Sequence, residues 1–297
     1  MITPPYLKKG DKVGIVAPAR FIPQDRYPQI LQFIESQGLV PVRGKTTYLE
    51  SGIFAGNDTE RAQDMQQMLD SEEIKALFCL RGGYGTMRIL GDLDFGMLLQ
   101  HPKWLIGFSD ITVLHAAFAF FGVESIHGQM PINFQNNNAA LNNLFSTLKG
   151  KNLNYRVEQH SFNRTGNFTA PIIGGNIALL CALLGTPYAF KTKGKILFIE
   201  DVGEYLYRFD RMMQQLKLAG ILKNLAGLVV GALTDMEDQT PSFGQTAEEI
   251  VRQAVAEYSY PVCFGFPAGH IVNNQPLIFG RPAEMNVSDG SVFIAFQ

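Results

Sequence analysis

A serine stands in a short polar turn between two apolar stretches of the chain. The turn reads G-F-S-D over residues 107–110, with a predicted strand at Trp104–Phe108 and a predicted apolar helix at Ile111–Phe121. At a strand-to-helix turn the serine hydroxyl is exposed, and the N–H groups that begin the helix point into the same space. Ser109 is therefore a candidate nucleophile for acyl transfer, with oxyanion donors beside it. Alternatively, Ser109 or Asp110 serves only as the N-cap of the helix.

A histidine that could act as the general base lies far along the chain. His270 ends the loop G-F-P-A-G-H, residues 265–270, and catalytic residues are concentrated on loops of this kind. His115 falls inside the apolar helix, where a hydrogen-bonded core role is predicted. No two histidines have the spacing of a motif such as H-E-x-x-H, so the sequence predicts no metal site.

Three carboxylates follow an apolar segment in the second half of the chain. Glu200, Asp201 and Glu204 come at or just after the end of the predicted strand 195–199. A carboxylate at the end of a strand can orient a catalytic histidine. Solvent-exposed acids that pair with a nearby arginine such as Arg208 are the alternative.

A glycine-rich turn, R-G-G-Y-G at residues 81–85, follows a second apolar segment. Glycines let a backbone approach a ligand closely and adopt positive φ angles. The turn could supply a second oxyanion donor, or it could be only a tight turn. A phosphate-binding role is disfavoured, because the spacing matches neither G-x-G-x-x-G nor the P-loop.

Strands and helices alternate in the first half of the chain. Apolar runs predict strands at Lys12–Ala17 and Ile74–Leu80, and helical spacing predicts a helix at Pro28–Gln37. Asn57 can cap a further helix whose third position is Glu60. This alternation predicts an α/β fold with a mostly parallel sheet and flanking helices.

The second half has shorter strands and more glycine at their ends. We predict an N-terminal α/β domain at 1–150, a linker at 151–168 and a smaller β-rich C-terminal domain at 169–297. The predicted strands of the second domain are Lys195–Ile199, Leu225–Val230 and Val292–Phe296, and its predicted helices cover about 208–219 and 246–257.

The composition indicates an ordinary globular protein. Of the 297 residues 46% are hydrophobic and 18% are charged, and the formal net charge is −2. This balance disfavours nucleic acid and anionic membranes as partners, since both require a basic surface. No segment has the pattern of a secretory signal or a membrane span. The three separated cysteines, Cys79, Cys181 and Cys263, are predicted to be buried thiols in a reducing, cytoplasmic setting.

A set of ordered motifs resembles the LD-carboxypeptidase family of serine peptidases, also called murein tetrapeptide carboxypeptidases. The resemblance runs from about Val13 to Pro276. The motifs are R-G-G-Y-G (81–85), G-F-S-D-I-T (107–112), H-G (127–128), G-G-N-I-A-L-L (174–180), L-G-T-P (184–187), I-E-D-V-G-E (199–204), Y-R-F-D-R (207–211) and G-H-I-V-N-N (269–274).

The resemblance implies a fold and a set of site residues. It implies an N-terminal domain like class I glutamine amidotransferases, a β-rich C-terminal domain and a homodimer. The implied triad is Ser109 as nucleophile, Glu200 as orienting acid and His270 as base. The implied oxyanion donors are the backbone N–H groups of Gly83 and Asp110, and neither a metal nor an organic cofactor is implied.

The implied reaction releases C-terminal D-alanine from cytoplasmic murein tetrapeptides. The bond that is cleaved joins the L-centre of a diamino acid to D-alanine. Arg81 or Arg208 could bind the free carboxylate of this small peptide. The alternatives are a microcin C-type self-immunity peptidase, which cleaves aminoacyl or peptidyl adenylates, and a non-catalytic binding protein. A glutamine amidotransferase is disfavoured, because its chemistry requires a thiolate where Ser109 stands.

Overall fold

The computed structural model describes residues 1–136 and 139–297, which form two compact units. The first unit contains residues 1–151 and 275–278, and the second contains residues 152–274 and 279–297. The expected linker 151–168 includes one strand and the start of another. Within the described residues, no helix is long and apolar enough to cross a membrane.

The first unit is built on a six-stranded sheet with the strand order β11-β5-β4-β3-β1-β2. The pairings from β2 through β5 are parallel, as alternation of strands and helices predicts. The elements are β1 (Lys12–Val16), α1 (Tyr27–Ser36), β2 (Val40–Arg43), α2 (Asp58–Asp70), β3 (Ile74–Cys79), α3 (Thr86–Ile89), α4 (Gly96–Gln100), β4 (Trp104–Gly107), α5 (Thr112–Phe120), β5 (Ser125–His127), α6 (Ala139–Leu148) and, late in the chain, β11 (Leu277–Phe279).

The second unit contains a seven-stranded mixed sheet in the order β10-β9-β8-β7-β12-β13-β6. The strands β7 to β10 pair in parallel, and β12 pairs antiparallel with β7 and β13. The elements are β6 (Asn154–Val157), β7 (Gly166–Asn176), α7 (Ile177–Ala182), β8 (Ile196–Val202), α8 (Leu206–Leu218), β9 (Gly227–Thr234), α9 (Ala247–Ala254), β10 (Val262–Cys263), β12 (Pro282–Val287) and β13 (Val292–Phe296). The α/β prediction is confirmed, and the described residues form two sheets.

Capping signals in the sequence fix the starts of two helices. The Asn57 side chain accepts a hydrogen bond from the Glu60 N–H at 2.9 Å, and the Glu60 carboxylate accepts one from the Asn57 N–H at 2.7 Å. This reciprocal arrangement begins α2 where the sequence predicts it. Thr246 and Glu249 form the same capping box at the start of α9.

A fully buried lysine donates hydrogen bonds to the carbonyls at the carboxyl end of α2. Lys103 directs its Nζ to the carbonyl oxygens of Met68, Leu69 and Ser71 at 3.1, 2.7 and 2.7 Å. The last carbonyls of a helix have no partner within the helix, and a lysine side chain can satisfy them. These contacts between residues more than 30 positions apart anchor the amino end of β4 to the carboxyl end of α2.

We expect Lys103→Met to lower the free energy of unfolding by about 1–3 kcal/mol, because buried carbonyls lose their donor. Lys75→Met is the matched control, since Lys75 is partly exposed and its Nζ contacts a single carbonyl, that of Glu72. Urea titrations of both variants and the wild type measure the difference. Equal losses in the two variants would contradict the anchoring role of Lys103.

Candidate active site

Ser109 has a strained backbone at the carboxyl end of β4. Its φ angle is +64°, in the left-handed region that costs a non-glycine residue about 1–3 kcal/mol. The chain turns sharply here, passes through a short 3-10 turn at Ser109–Ile111 and continues into α5. The N-cap of α5 is Ile111, so neither Ser109 nor Asp110 is its cap. The backbone is therefore shaped to present the serine rather than to cap the helix.

The residue that ends β4 must be small for this turn to form. A Cβ atom on Gly107 would lie 2.9 Å from the Ile111 side chain, a separation that real Cβ contacts do not show. The Gly107 carbonyl accepts a hydrogen bond from Nε2 of the buried His115 at 2.9 Å. Since a carbonyl only accepts, the second ring nitrogen, Nδ1, accepts from the Ser125 hydroxyl at 2.8 Å. Burial lowers the pKa of His115 to about 4, and the predicted core role of His115 is confirmed.

The glycine-rich turn lies directly against the Ser109 turn. A Cβ atom on Gly82 would lie 3.1 Å from Cβ of Ser109 and 3.3 Å from the backbone N of Asp110. Gly83 follows with a φ angle of +109°, which favours glycine. The glycines thus allow two backbone segments to pack closely, and the segments include both predicted oxyanion donors.

The side chain of Asp110 ties the two turns together. Its buried Oδ2 accepts hydrogen bonds from the Thr86 N–H at 2.9 Å and the Thr86 hydroxyl at 2.6 Å. Burial raises the pKa of Asp110, and the hydrogen bonds from Thr86 oppose that rise. The buried Arg61 guanidinium contacts the carbonyls of Pro18 and Gly85 at 2.5 and 2.9 Å. The sequence analysis missed Thr86 and Arg61, whose partners are distant along the chain.

The second unit brings Glu200 and His270 together. His270 Nδ1 lies 2.7 Å from Glu200 Oε2, and the Glu200 side chain is fully buried. A carboxylate accepts, so Nδ1 of the neutral ring carries the proton and Nε2 carries the lone pair. A Cβ atom on Gly269 would lie 2.9 Å from Glu200 Oε2, so a glycine must precede the histidine. Glu200, rather than Glu204, is thus the carboxylate that contacts this imidazole.

Two opposing effects set the protonation of His270. Burial lowers the pKa of the imidazole, whereas the hydrogen bond and the negative charge of Glu200 raise it. The net result is a pKa above the ordinary value for histidine. The carboxylate therefore makes the ring a stronger base and stabilises the imidazolium that proton abstraction forms.

Asp201 has a structural role next to Glu200. Its carboxylate accepts hydrogen bonds from Asn176 Nδ2 at 2.9 Å and from the Ala178 N–H at 3.2 Å. Burial raises the pKa of Asp201 to about 6. Glu200 and Asp201 are both buried, so for these two acids the alternative of a solvent-exposed partner of arginine is wrong. Glu204 is partly exposed, and its charge helps to raise the pKa of Arg208.

The two arginines proposed for substrate binding differ in their surroundings. Arg81 is half-buried in the first unit, which also contains Ser109. Arg208 is exposed in the second unit, where its Nε contacts the Tyr207 hydroxyl at 3.1 Å. The three cysteines are buried and reduced, as predicted.

Two family profiles match most of the chain. A profile for the LD-carboxypeptidase N-terminal domain matches residues 13–128, and one for the LD-carboxypeptidase C-terminal domain matches residues 169–285. The chain belongs to the LD-carboxypeptidase family. Family membership indicates a peptidase. Ser109 lies in the first matched segment, and Glu200 and His270 lie in the second.

Individual relatives of this chain agree with the profiles. A probable murein peptide carboxypeptidase from Bacillus subtilis (strain 168) is 33% identical over 98% of this chain and 93% of its own length. The crystal structure of a muramoyltetrapeptide carboxypeptidase from Oxalobacter formigenes has a TM-score of 0.88 and 28% identity, covering 96% of this chain and 98% of that chain. The microcin C7 self-immunity protein in complex with aspartyl sulfamoyl adenosine has a TM-score of 0.86 at 20% identity, covering 98% of each chain. This last likeness shows the fold alone.

We expect Glu200→Gln to lower the pKa of His270 below the ordinary histidine value. The substitution removes the charge that raises the pKa, while the burial that lowers it remains. Glu204→Gln is the matched control and should leave the pKa nearly unchanged. NMR titration of the imidazole, assigned with His270→Gln, measures both shifts. A larger shift in the Glu204 variant would contradict the assignment of Glu200 as partner.

Proposed function

We propose that this protein is a serine carboxypeptidase that releases C-terminal D-alanine from murein tetrapeptides. The 2.7 Å hydrogen bond between His270 Nδ1 and the buried Glu200 carboxylate carries the proposal. A buried carboxylate that fixes the ring tautomer is how a general base for a serine nucleophile is built. The names of the Bacillus and Oxalobacter relatives support the peptide substrate.

The reaction begins when His270 Nε2 accepts the proton of the Ser109 hydroxyl. The Ser109 oxygen attacks the carbonyl carbon of the L,D-peptide bond, and the backbone N–H groups of Gly83 and Asp110 donate hydrogen bonds to the resulting oxyanion. The protonated His270 then gives its proton to the nitrogen of D-alanine, and the C–N bond breaks. Water hydrolyses the acyl-enzyme with the same base. This mechanism requires Ser109 Oγ and His270 Nε2 to come within hydrogen-bond distance of each other.

The proposal extends to the setting of the reaction. The resemblance to murein tetrapeptide carboxypeptidases supports a cytoplasmic role in cell-wall recycling, carried out by a homodimer on a small peptide. The glutamine amidotransferase-like fold of the first domain rests on the same resemblance.

A second candidate function is cleavage of aminoacyl or peptidyl adenylates. The fold likeness to the microcin C7 self-immunity protein, whose structure contains aspartyl sulfamoyl adenosine, favours this candidate. Both reactions use the same nucleophile and base and differ in the leaving group. The tetrapeptide is the first choice, because the relative at 33% identity is named for murein peptides.

We expect wild-type protein to release D-alanine from a tetrapeptide and Ser109→Ala to do so several orders of magnitude more slowly, because the nucleophile is lost. Ser36→Ala is the control, since Ser36 is an exposed serine at the end of α1. Mass spectrometry of digests of a tetrapeptide and of an aminoacyl sulfamoyl adenosine measures both activities. Cleavage of the adenylate alone would transfer the proposal to the second candidate. Absence of any cleavage would indicate a binding protein.

We expect Thr86→Val to lower kcat about 10-fold with little change in KM, because Asp110 loses one of the donors that hold it. The substitution keeps the shape of the side chain and removes only its hydroxyl. Thr86→Ser keeps the hydroxyl and should restore kcat. Steady-state kinetics of the three proteins test this effect. Equal losses in both variants would show that the methyl group, rather than the hydrogen bond, matters.

A further inference from the structure

An arginine outside the predicted site lies against the glycine-rich turn. Arg20 follows β1, and a Cβ atom on Gly83 would lie 2.7 Å from its Cδ and 2.9 Å from its Nε. The aliphatic part of Arg20 therefore packs directly on the backbone of Gly83. Gly83 is a proposed oxyanion donor, so the charge of Arg20 belongs to the immediate surroundings of the reaction.

A second arginine reaches the same place from the other segment. Arg81 lies two positions before Gly83, and its Nη1 is 3.5 Å from the carbonyl oxygen of Phe21, the residue after Arg20. The segment after β1 and the segment after β3 thus bring two half-buried guanidinium groups close together. Burial lowers the pKa of Arg81, and the neighbouring charge of Arg20 lowers it further.

Few hydrogen-bond donors of this pair have a partner in the part of the chain that the structure describes. Within residues 1–136 and 139–297, Arg20 makes no side-chain hydrogen bond, and its Nε is buried. Among the same described residues, the one side-chain hydrogen bond of Arg81 is the long contact to Phe21. The nearby carboxylate of Asp110 accepts its hydrogen bonds from Thr86, and the charge of Arg20 helps to lower the pKa of Asp110 without a hydrogen bond. In contrast, Arg61 donates to Pro18, Gly85 and Asp58.

Two adjacent guanidinium groups with open donors form a binding site for a planar anion. A guanidinium binds a carboxylate with two parallel hydrogen bonds, and the anion relieves the repulsion between the two cations. We propose that Arg20 and Arg81 bind the C-terminal carboxylate of the peptide substrate. This inference rests on the proposed carboxypeptidase function and deepens it.

The chemistry of the substrate requires such a site beside the oxyanion donors. In a peptide that loses one C-terminal residue, the terminal carboxylate carbon is three bonds from the scissile carbonyl carbon. The two carbons therefore lie within about 4 Å of each other. The contact between Arg20 and Gly83 meets this requirement. Arg81, one of the two arginines considered from the sequence, belongs to the glycine-rich turn itself.

The test compares a tetrapeptide that has a free C-terminal carboxylate with its C-terminal amide. In the Ser109→Ala background, calorimetry gives Kd for both ligands without turnover. We expect Arg20→Gln to raise Kd for the acid about 10–100-fold, the range for a hydrogen bond to a charged group, and to leave Kd for the amide within about threefold. Arg81→Gln should act in the same direction. Arg20→Lys should lose less affinity for the acid than Arg20→Gln, because lysine keeps the positive charge but lacks the paired N–H donors of the guanidinium.

Lys12→Gln is the matched control for the loss of one positive charge. Lys12 pairs with Glu73 at the start of β1, at the opposite end of that strand from Arg20, and its substitution should leave both Kd values unchanged. Melting temperatures show whether each variant is folded. An acid-to-amide ratio in Arg20→Gln equal to that of the parent protein would overturn the inference, and so would equal binding of acid and amide by the parent.

A turnover assay distinguishes failure of the carboxylate site from failure of the proposed peptidase function. D-alanine release by the wild type, together with an unchanged acid preference in the arginine variants, would overturn the carboxylate site and keep the peptidase. A preference for the acid that depends on Arg20, without any hydrolysis by the wild type, would support the site and reject the peptidase.

Discussion

The left-handed backbone of Ser109 is the constraint on which the first unit depends. A conformation that costs about 1–3 kcal/mol persists only where its surroundings fix it. Three contacts fix it here. Gly107, which has no side chain, packs against Ile111; His115 donates a hydrogen bond to the Gly107 carbonyl; and Gly82 packs closely against Ser109. Because these contacts come from a helix and from the turn after β3, the serine is held by the sheet edge as a whole.

In the second unit a glycine also allows close packing of the backbone, here beside the histidine. Gly269 lets the backbone approach the Glu200 carboxylate, and its N–H donates to Asn274 Oδ1 at 2.8 Å. This hydrogen bond fixes the backbone of the His270 loop beside the Glu200 carboxylate that the ring contacts. In both units a glycine lets the backbone pack directly against the functional residue or its partner. The contact positions that residue without an intervening flexible side chain.

The sequence was informative where the signal was local. Apolar runs located β1, β3 and β4, and the strand-to-helix turn located Ser109. The family resemblance selected Glu200, and the structure places that residue on His270. Thr86, Arg61 and Arg20 were missed because their roles arise from contacts between segments that are distant along the chain. The return of residues 275–278 to the first unit was missed for the same reason. The likeness to glutamine amidotransferases stays a prediction.

The charges around the glycine-rich turn explain why an anion would bind there. The charge of Arg61 is partnered by Asp58, and the Asp110 carboxylate is held by Thr86. Among the described residues no hydrogen bond joins Arg20 or Arg81 to a carboxylate, and Arg20 acts on the Asp110 carboxylate only through its charge. Charges in a partly buried setting act more strongly than charges in water. In the proposed reaction the same pair would bind the carboxylate of the substrate and stabilise the oxyanion that develops beside Gly83. The same two positive charges would therefore contribute both to substrate binding and to catalysis.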